Sequence, residues 1–203
     1  FVELNVPMVF CNRGINGVKA PLVYSNNFYG GYLATKHLLE RGYDHIAFLS
    51  VLHYETTLAR HHGYMAALWE HGLELDEGLV LNCPDYSRVE LGYRMMKQLL
   101  ESGKHVNGVF AFNDQIACGA INAIHEAGLR VSDDIGVIGY DNTMLCNVPS
   151  EALTSVSFKK YEIGCTAAEL LLKRIRDPKA AIPNETIFRP EINVRESCRG
   201  IRR

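Results

Sequence analysis

Residues 108–140 read GVFAFNDQIACGAINAIHEAGLRVSDDIGVIGY. They begin with the apolar run Gly108–Phe112, continue with an amphipathic stretch over about 115–127, and end with the apolar run Ile135–Tyr140. Gly128 follows the amphipathic stretch, where a glycine commonly ends a helix because it adopts a left-handed backbone without a steric penalty. Two short apolar runs joined by one helix predict a βαβ unit with parallel, buried strands.

The same alternation of apolar runs and amphipathic stretches continues along most of the chain. Further strands are predicted at Val6–Cys11, Leu22–Ser25, His45–Val51, Leu79–Leu81 and Thr154–Phe158, and further helices begin near Phe28, Leu58, Arg88 and Tyr161. The last extended segment, Thr186–Glu196, contains Pro190, which cannot donate a ladder hydrogen bond and therefore predicts an edge strand. Strands separated by helices predict a doubly wound α/β fold with parallel sheets.

The composition indicates a globular protein and excludes several function classes. Of 203 residues, 47% are hydrophobic and 22% are charged, which suffices for one large α/β domain or two small ones. The net charge of -2 provides no general electrostatic footprint for nucleic acid. Apolar runs stay far below the roughly 18 residues of a membrane helix, and the N-terminus lacks a signal-peptide pattern, so a cytoplasmic protein is expected.

Sequence motifs for catalysis and for metal or cofactor binding are missing. The chain has no GxGxxG, GxxxxGKS/T, HExxH or GxSxG motif. Its six cysteines occur without a CxxC pair, which favours small core side chains over a zinc site. No enzyme activity, cofactor or metal is therefore predicted. A Rossmann-type enzyme is an alternative, and turnover of a candidate ligand would be needed to support it.

Polar residues follow three predicted strands where each strand ends: Asn12 after Val6–Cys11, Asn113 with Asp114 after Gly108–Phe112, and Asp141 after Ile135–Tyr140. Ligands of open parallel sheets bind at these carboxyl ends, because strand ends and helix N-termini leave polar groups facing a crevice. Asn and Asp are also common helix caps and turn residues, a role that we assign to Asp114. Arg60, early in the helix after His45–Val51, would either reach the same crevice or form a surface ion pair.

Seven runs of the sequence resemble a known family in order and spacing. They are Asn26–Leu38, Gly42–Phe48, Arg60–Tyr64, Val109–Asp114, Gly128–Asn142, Leu153–Val156 and Glu162–Gly164. Together they are similar to the effector domain of the lactose-repressor and galactose-repressor (LacI/GalR) family of bacterial transcription regulators. The similarity extends over nearly the whole chain.

This resemblance implies two lobes of the type I periplasmic-binding-protein fold that enclose a small effector, usually a sugar, nucleoside or purine, and a domain that forms a homodimer. It implies a partial amino-terminal lobe at 1–25, the carboxy-terminal lobe at 26–152, a return to the first lobe at 153–182, and an edge strand and tail of the carboxy-terminal lobe at 183–203. Effector binding would shift the balance between two lobe arrangements. Operator DNA would be bound only through a helix-turn-helix module outside this chain, which implies an amino-terminally truncated regulator with one incomplete lobe.

The resemblance also assigns roles to individual residues. Arg60 matches the arginine that clamps the effector, and Asn113 matches the strand-end asparagine. Asp141 matches the aspartate that accepts hydrogen bonds from ligand hydroxyls. Asn12 stands where many members have an aspartate, which keeps an acceptor but removes a charge.

Two further effector contacts are implied by the resemblance. Phe158 stands where many members have a glutamine, so an apolar or stacking contact is expected there instead of a hydrogen bond. The aromatic residue before the third helix falls on Tyr86, or on Ser87 after a one-residue slip. Tyr86 is preferred because an aromatic face can stack on a sugar ring.

A sugar-binding protein of a transport system shares the bilobal fold and is the main alternative. Six cysteines, the missing export signal and the run Val131–Ile135 favour a regulator. A precursor that carries a signal peptide would reverse this preference. The sequence therefore predicts the effector-binding and dimerising part of a transcription regulator, with no chemistry of its own, that senses a small polar metabolite such as a sugar or a sugar derivative.

Overall fold

The computed structural model describes residues 6–51, 54–82, 88–148 and 150–201. The strands are β1 (Phe10–Cys11), β2 (Leu22–Ser25), β3 (Ile46–Ser50), β4 (Val80–Asn82), β5 (Gly108–Ala111), β6 (Gly136–Tyr140), β7 (Thr154–Ser157), β8 (Glu185–Phe188) and β9 (Glu191–Asn193). The α-helices are α1 (Asn27–Glu40), α2 (Glu55–Glu70), α3 (Val89–Glu101), α4 (Asp114–Glu126) and α5 (Lys160–Arg176), and short 3-10 helices lie at Glu77–Leu79 and Met144–Asn147. No helix among the described residues is both long enough and apolar enough to cross a membrane.

The chain divides into two units that each combine separate segments. The larger unit consists of Asn27–Ser157 and Glu191–Arg203, and the smaller unit consists of Phe1–Asn26 and Phe158–Pro190. Each unit has its own sheet, because among the described residues β1, β2 and β8 pair with one another and the other six strands pair among themselves.

The sheet of the larger unit has six strands in the order β4-β3-β5-β6-β7-β9. Its neighbouring strands are parallel, except that β9 runs antiparallel to β7 at one edge. Every residue of β3, β5 and β6 is buried. Burial on both faces explains why these strands are continuous apolar runs instead of alternating ones. The predicted α/β fold with parallel sheets is confirmed.

The smaller unit has a three-stranded parallel sheet in the order β1-β2-β8. Val23 on β2 packs with Ile163 and Ala167 on α5, and these three buried side chains form the core. Partly buried Phe158 and Phe188 complete the cluster. Helix α5 therefore covers this sheet with its apolar side.

Helices α1 and α2 approach each other closely at two glycines, and this contact determines where α2 lies. A Cβ atom on Gly31 would overlap the backbone carbonyl of Arg60, and one on Gly63 would overlap the carbonyl oxygen of Phe28. Backbone therefore packs directly on backbone, without intervening side chains. The close approach fixes the position of α2 relative to α1 and thereby the position of the Arg60 backbone.

Several predicted strand boundaries were wrong. The strand predicted at Val6–Cys11 is shortened to β1, since Pro7 in its first half has no backbone N–H to donate to a ladder. The predicted extended segment Thr186–Glu196 is two strands, β8 and β9, which lie on either side of Pro190 at the edges of different sheets.

The expected lobe boundaries also change by several residues. The carboxy-terminal lobe was expected at 26–152, but the larger unit continues to Ser157 because β7 pairs with β6. The return segment was expected at 153–182, but the smaller unit holds Phe158–Pro190 because β8 pairs with β2. Only the segment from Glu191 onward, instead of all of 183–203, belongs to the larger unit. Sequence patterns predict strands better than they predict which sheet a strand joins.

Candidate functional site

Arg60, in the second turn of α2, is held on several sides although it carries a charge. Its side chain lies in the interior, with 6% of the residue exposed. The Nε atom donates to Oδ1 of Asn27 at 3.0 Å, and Nη1 donates to the carbonyl oxygen of Phe112. The guanidinium carbon lies 3.4 Å from the ring centroid of Tyr140. Hydrogen bonds in the plane and an aromatic ring on one face together fix the orientation of this cation.

Asp141 directly follows β6 and faces the same guanidinium. Its Oδ1 lies 3.8 Å from Nη2 of Arg60, and 31% of its side chain is exposed. The backbone N–H of Asp141 donates to the carbonyl oxygen of Val156 at 2.8 Å. Its φ of 95° is in the left-handed region, which costs a non-glycine residue about 1–3 kcal/mol and is often found at ligand sites. Arg60 and Asp141 therefore lie next to each other at the carboxyl end of the sheet, and their contact with one effector stays a prediction.

Asn113 has the helix-capping role that the sequence analysis assigned to Asp114. Asn113 is the N-cap of α4, and its Oδ1 accepts a hydrogen bond from the backbone N–H of Ile116 at 3.0 Å. The assignment of Asp114 to an ordinary cap or turn was therefore wrong. Asp114 is instead almost fully buried, with 1% of the residue exposed.

The Asp114 carboxylate accepts three hydrogen bonds from the segments after β6 and on β7. Its Oδ2 accepts from the backbone N–H of Thr143 at 2.6 Å and from the Thr143 hydroxyl at 2.9 Å. Its Oδ1 accepts from the Ser155 hydroxyl at 2.6 Å. Sequence reasoning missed this network, although Gly139 inside a buried strand was a signal, since a glycine there often makes room for a close neighbour. A Cβ atom on Gly139 would overlap Oδ1 of Asp114.

A cavity of about 530 Å³ opens beside these residues, within the size range of small-molecule sites. It is lined by Asn113, Asp114, Gln115, Asp141, Thr143, Met144 and Leu145. The lining comes from the carboxyl ends of β5 and β6 and from the start of α4. The larger unit therefore brings Asn113 and Asp141 to one cavity, with Arg60 beside Asp141.

The remaining candidate residues belong to other parts of the chain. Asn12 follows β1 in the smaller unit, has a left-handed φ of 68°, and donates its backbone N–H to Val23 at 2.8 Å. Phe158 packs on the core of the smaller unit, and the ammonium of Lys160 lies 5.4 Å from the centroid of its ring. Tyr86 lies outside the described residues. In the ranges that the structure describes, no cluster of three or more His, Cys, Asp or Glu side chains could hold a metal ion.

Two buried thiols beside the site are expected to resist alkylation. Burial, and then the nearby Asp114 carboxylate, raise the pKa of Cys118 to about 11 and that of Cys146 to about 12. At about pH 8, roughly one in a thousand or fewer of these thiols is the reactive thiolate. Iodoacetamide should therefore modify exposed Cys11 well before Cys118 or Cys146, as measured by peptide mass mapping. Equal rates for the three thiols in the native protein would contradict this expectation, and denatured protein provides the control.

Comparison with known proteins agrees with this architecture. Residues 35–198 match the periplasmic binding protein-like domain. A LacI family transcriptional regulator from Enterococcus faecium, solved with bound ribose, superimposes with a TM-score of 0.87 at 30% sequence identity, covering 99% of this chain and 74% of that one. The chain belongs to the LacI family of transcription regulators.

Two further relatives extend the comparison. A sugar-binding regulator from Escherichia coli, complexed with phosphate, has a TM-score of 0.83 at 28% identity, covering 97% of this chain and 70% of that one. The HTH-type transcriptional repressor PurR of Actinobacillus pleuropneumoniae serotype 3 (strain JL03) is 35% identical over 99% of this chain. The chain spans 60% of the length of that repressor. These relatives are transcription regulators, which are not enzymes, and the resemblance inferred from the sequence is confirmed.

Proposed function

We propose that this chain is the effector-binding part of a transcription regulator and that Arg60, Asn113 and Asp141 hold a small polar effector. The observation that carries this proposal is the meeting of a buried, oriented guanidinium with a partly exposed carboxylate, 3.8 Å apart beside a cavity. The carboxylate of Asp141 would accept hydrogen bonds from adjacent hydroxyl groups of the effector. Such charge-assisted bonds are among the strongest available to a neutral ligand.

The effector is a sugar or sugar derivative in this proposal. Two nitrogens of Arg60 already donate to Asn27 and Phe112, and the nearby Asp141 carboxylate offsets the charge of the guanidinium, so an anionic effector gains little attraction at this residue. The ring of Tyr140 is fully buried and covered by the guanidinium, so it offers no face on which a purine could stack. A ligand rich in hydroxyl donors matches the acceptors of Asp141 and Asn113. The ribose bound by the Enterococcus faecium relative supports the same class.

The whole protein would be a cytoplasmic homodimer that contacts operator DNA through a helix-turn-helix module outside this chain. The relatives' description as transcription regulators supports this part of the proposal. Asn12, Phe158 and Tyr86 remain predicted effector contacts that rest on the family resemblance alone. Effector binding would change operator affinity by favouring one of two lobe arrangements.

A ligand panel tests the proposed effector class. Isothermal titration calorimetry with D-ribose, D-glucose, cellobiose, hypoxanthine, adenosine and inorganic phosphate is expected to detect heat only with one or more of the sugars. Asp141→Asn keeps the size of the side chain but removes its charge, so it should weaken sugar binding by about tenfold or more. Binding of hypoxanthine or adenosine without binding of any sugar would contradict the sugar assignment. Binding of phosphate alone would contradict the donor-rich effector class.

A further inference from the structure

We infer that Asp114 is a positioning residue of the effector site, which holds the segment Asp141–Thr143 so that the Asp141 carboxylate faces Arg60. This inference rests on the proposed function, because it assigns a role toward the same site. Asp114 itself would touch the effector little or not at all, since 99% of its surface is covered and its oxygens already accept three hydrogen bonds.

Because Asp114 is buried, its carboxylate depends on hydrogen bonds from the surrounding protein. A carboxylate is taken out of water at large cost unless donors replace the lost hydration. Here the three donors belong to Thr143 and Ser155, and the carboxylate lies in the first turn of α4, where the helix dipole favours a negative charge. Two of these donors belong to Thr143, only two residues after Asp141. The compensating interactions of Asp114 are therefore directed at the segment that carries Asp141.

A chain of two hydrogen bonds through Ser155 also connects Asp114 to Asn142, the residue next to Asp141. The Ser155 hydroxyl donates to Asp114 and also accepts from the backbone N–H of Asn142 at 3.0 Å. The backbone N–H groups of Asn142 and Thr143 thus both lead to Asp114, one through a hydroxyl and one directly. These bonds restrain the peptide groups that immediately follow Asp141.

The backbone conformation of the segment requires such restraint. Asp141 and Asn142 are consecutive non-glycine residues with φ values of 95° and 46°. Left-handed residues without glycine persist only where the surroundings determine them, because extended or right-handed conformations are lower in energy. Without the acceptors of Asp114, the segment would relax and the Asp141 carboxylate would leave its position near Arg60.

A second anchor explains why loss of Asp114 should not unfold the unit. Arg195, on the segment after β9, donates Nη2 to Oδ1 of Asn142 at 2.7 Å and Nη1 to the carbonyl oxygen of Leu153 at 2.9 Å. This arginine would still tether the segment in a variant that lacks Asp114. In a variant that lacks Asp114, we therefore expect the segment Asp141–Thr143 to become more mobile while the sheet stays folded.

The test compares Asp114→Ala with Asn107→Ala in the full chain. Asn107 is a matched control because its buried side chain also accepts two backbone hydrogen bonds, from Asp44 and His45, but at the opposite end of β5. Hydrogen exchange by NMR should be about tenfold faster or more at the amides of Asn142 and Thr143 in Asp114→Ala, and unchanged there in Asn107→Ala. Equal exchange of these amides in both variants would overturn the inference.

Ser155→Ala provides a milder variant in case Asp114→Ala does not fold. It removes the hydrogen bonds through Ser155 but leaves the Thr143 bonds, so exchange should accelerate at Asn142 more than at Thr143. Acceleration spread evenly over α4 and β6 would instead indicate general loss of stability and would count against a positioning role.

Binding of D-ribose then separates this inference from the proposed function. Asp114→Ala should weaken binding about tenfold in the wild-type background but less than about twofold in the Asp141→Asn background, because Asp114 acts through Asp141. Equal losses in both backgrounds would overturn the positioning role. If D-ribose does not bind the unmodified chain, the sugar of the panel that does bind takes its place in this comparison. If no sugar of the panel binds, that result counts against the proposed function, and the exchange measurement alone decides the role of Asp114.

Discussion

Replacement of Arg60 by alanine is expected to weaken effector binding by about 2 kcal/mol or more, which is roughly a 30-fold loss of affinity. The substitution removes the cation beside Asp141, and it also leaves Oδ1 of Asn27 and the carbonyl of Phe112 without this donor. The ring of Tyr140 loses the guanidinium that covers it. Arg60→Ala should therefore lower the effector affinity and also disturb the geometry around Asn27, Phe112 and Tyr140.

Calorimetry with a sugar that binds the unmodified chain measures this effect. Arg130→Ala is the matched control, since it deletes an arginine of which 69% of the side chain is exposed and which pairs with Asp133 and Asp134 at the surface. The control should bind the sugar with unchanged affinity, because exposed ion pairs contribute little. An Arg60→Ala variant that folds normally and binds as well as the control would remove Arg60 from the site.

Gly63→Ala is expected to lower the free energy of unfolding by about 3 kcal/mol. The new methyl group would overlap the carbonyl oxygen of Phe28, which is backbone and cannot rotate away. The helices α1 and α2 must then separate, although alanine is otherwise the better helix former. Urea denaturation followed by circular dichroism measures the change in stability.

Gly164→Ala is the control for the same substitution in an open environment. Gly164 is inside α5, and apart from its two chain neighbours and the backbone of the helix itself, no described atom lies within 4 Å of the position that its Cβ would take. Alanine there should be neutral or should stabilise by up to about 1 kcal/mol, because it reduces the flexibility of the unfolded chain. Similar losses in both variants would show that the contact between α1 and α2 tolerates a methyl group.

The elements that could be predicted from the sequence are those whose signal is local. Strands β3, β5 and β6 are buried on both faces, so they are uninterrupted apolar runs, and the glycines after α1, α2, α3 and α4 mark where those four helices end. The placement of Asn113 and Asp141 at one edge of the sheet was also predictable, since the carboxyl ends of parallel strands share that edge. For Arg60, the sequence left a position in the crevice and a surface ion pair as alternatives.

The features that could not be predicted depend on partners that are distant in the chain. The role of Asp114 is set by Thr143 and Ser155, which are 29 and 41 residues away, and a capping role was equally consistent with its local sequence. Pro190 indicated an edge strand but carried no information on which sheet each flanking segment joins. Contacts between residues distant in the sequence therefore determine both the hydrogen bonds of Asp114 and the unit to which each segment beside Pro190 belongs.

The backbone contact between α1 and α2 has a consequence for how this protein can acquire a new specificity. At Gly31 and Gly63 no side chain separates the helices, so no exchange of a larger for a smaller residue can move α2. In the proposed site, Arg60 is consequently a fixed reference point for any effector. Adaptation to a different effector would have to proceed through the more exposed residues after β6, such as Met144, whose replacement leaves that reference point in place.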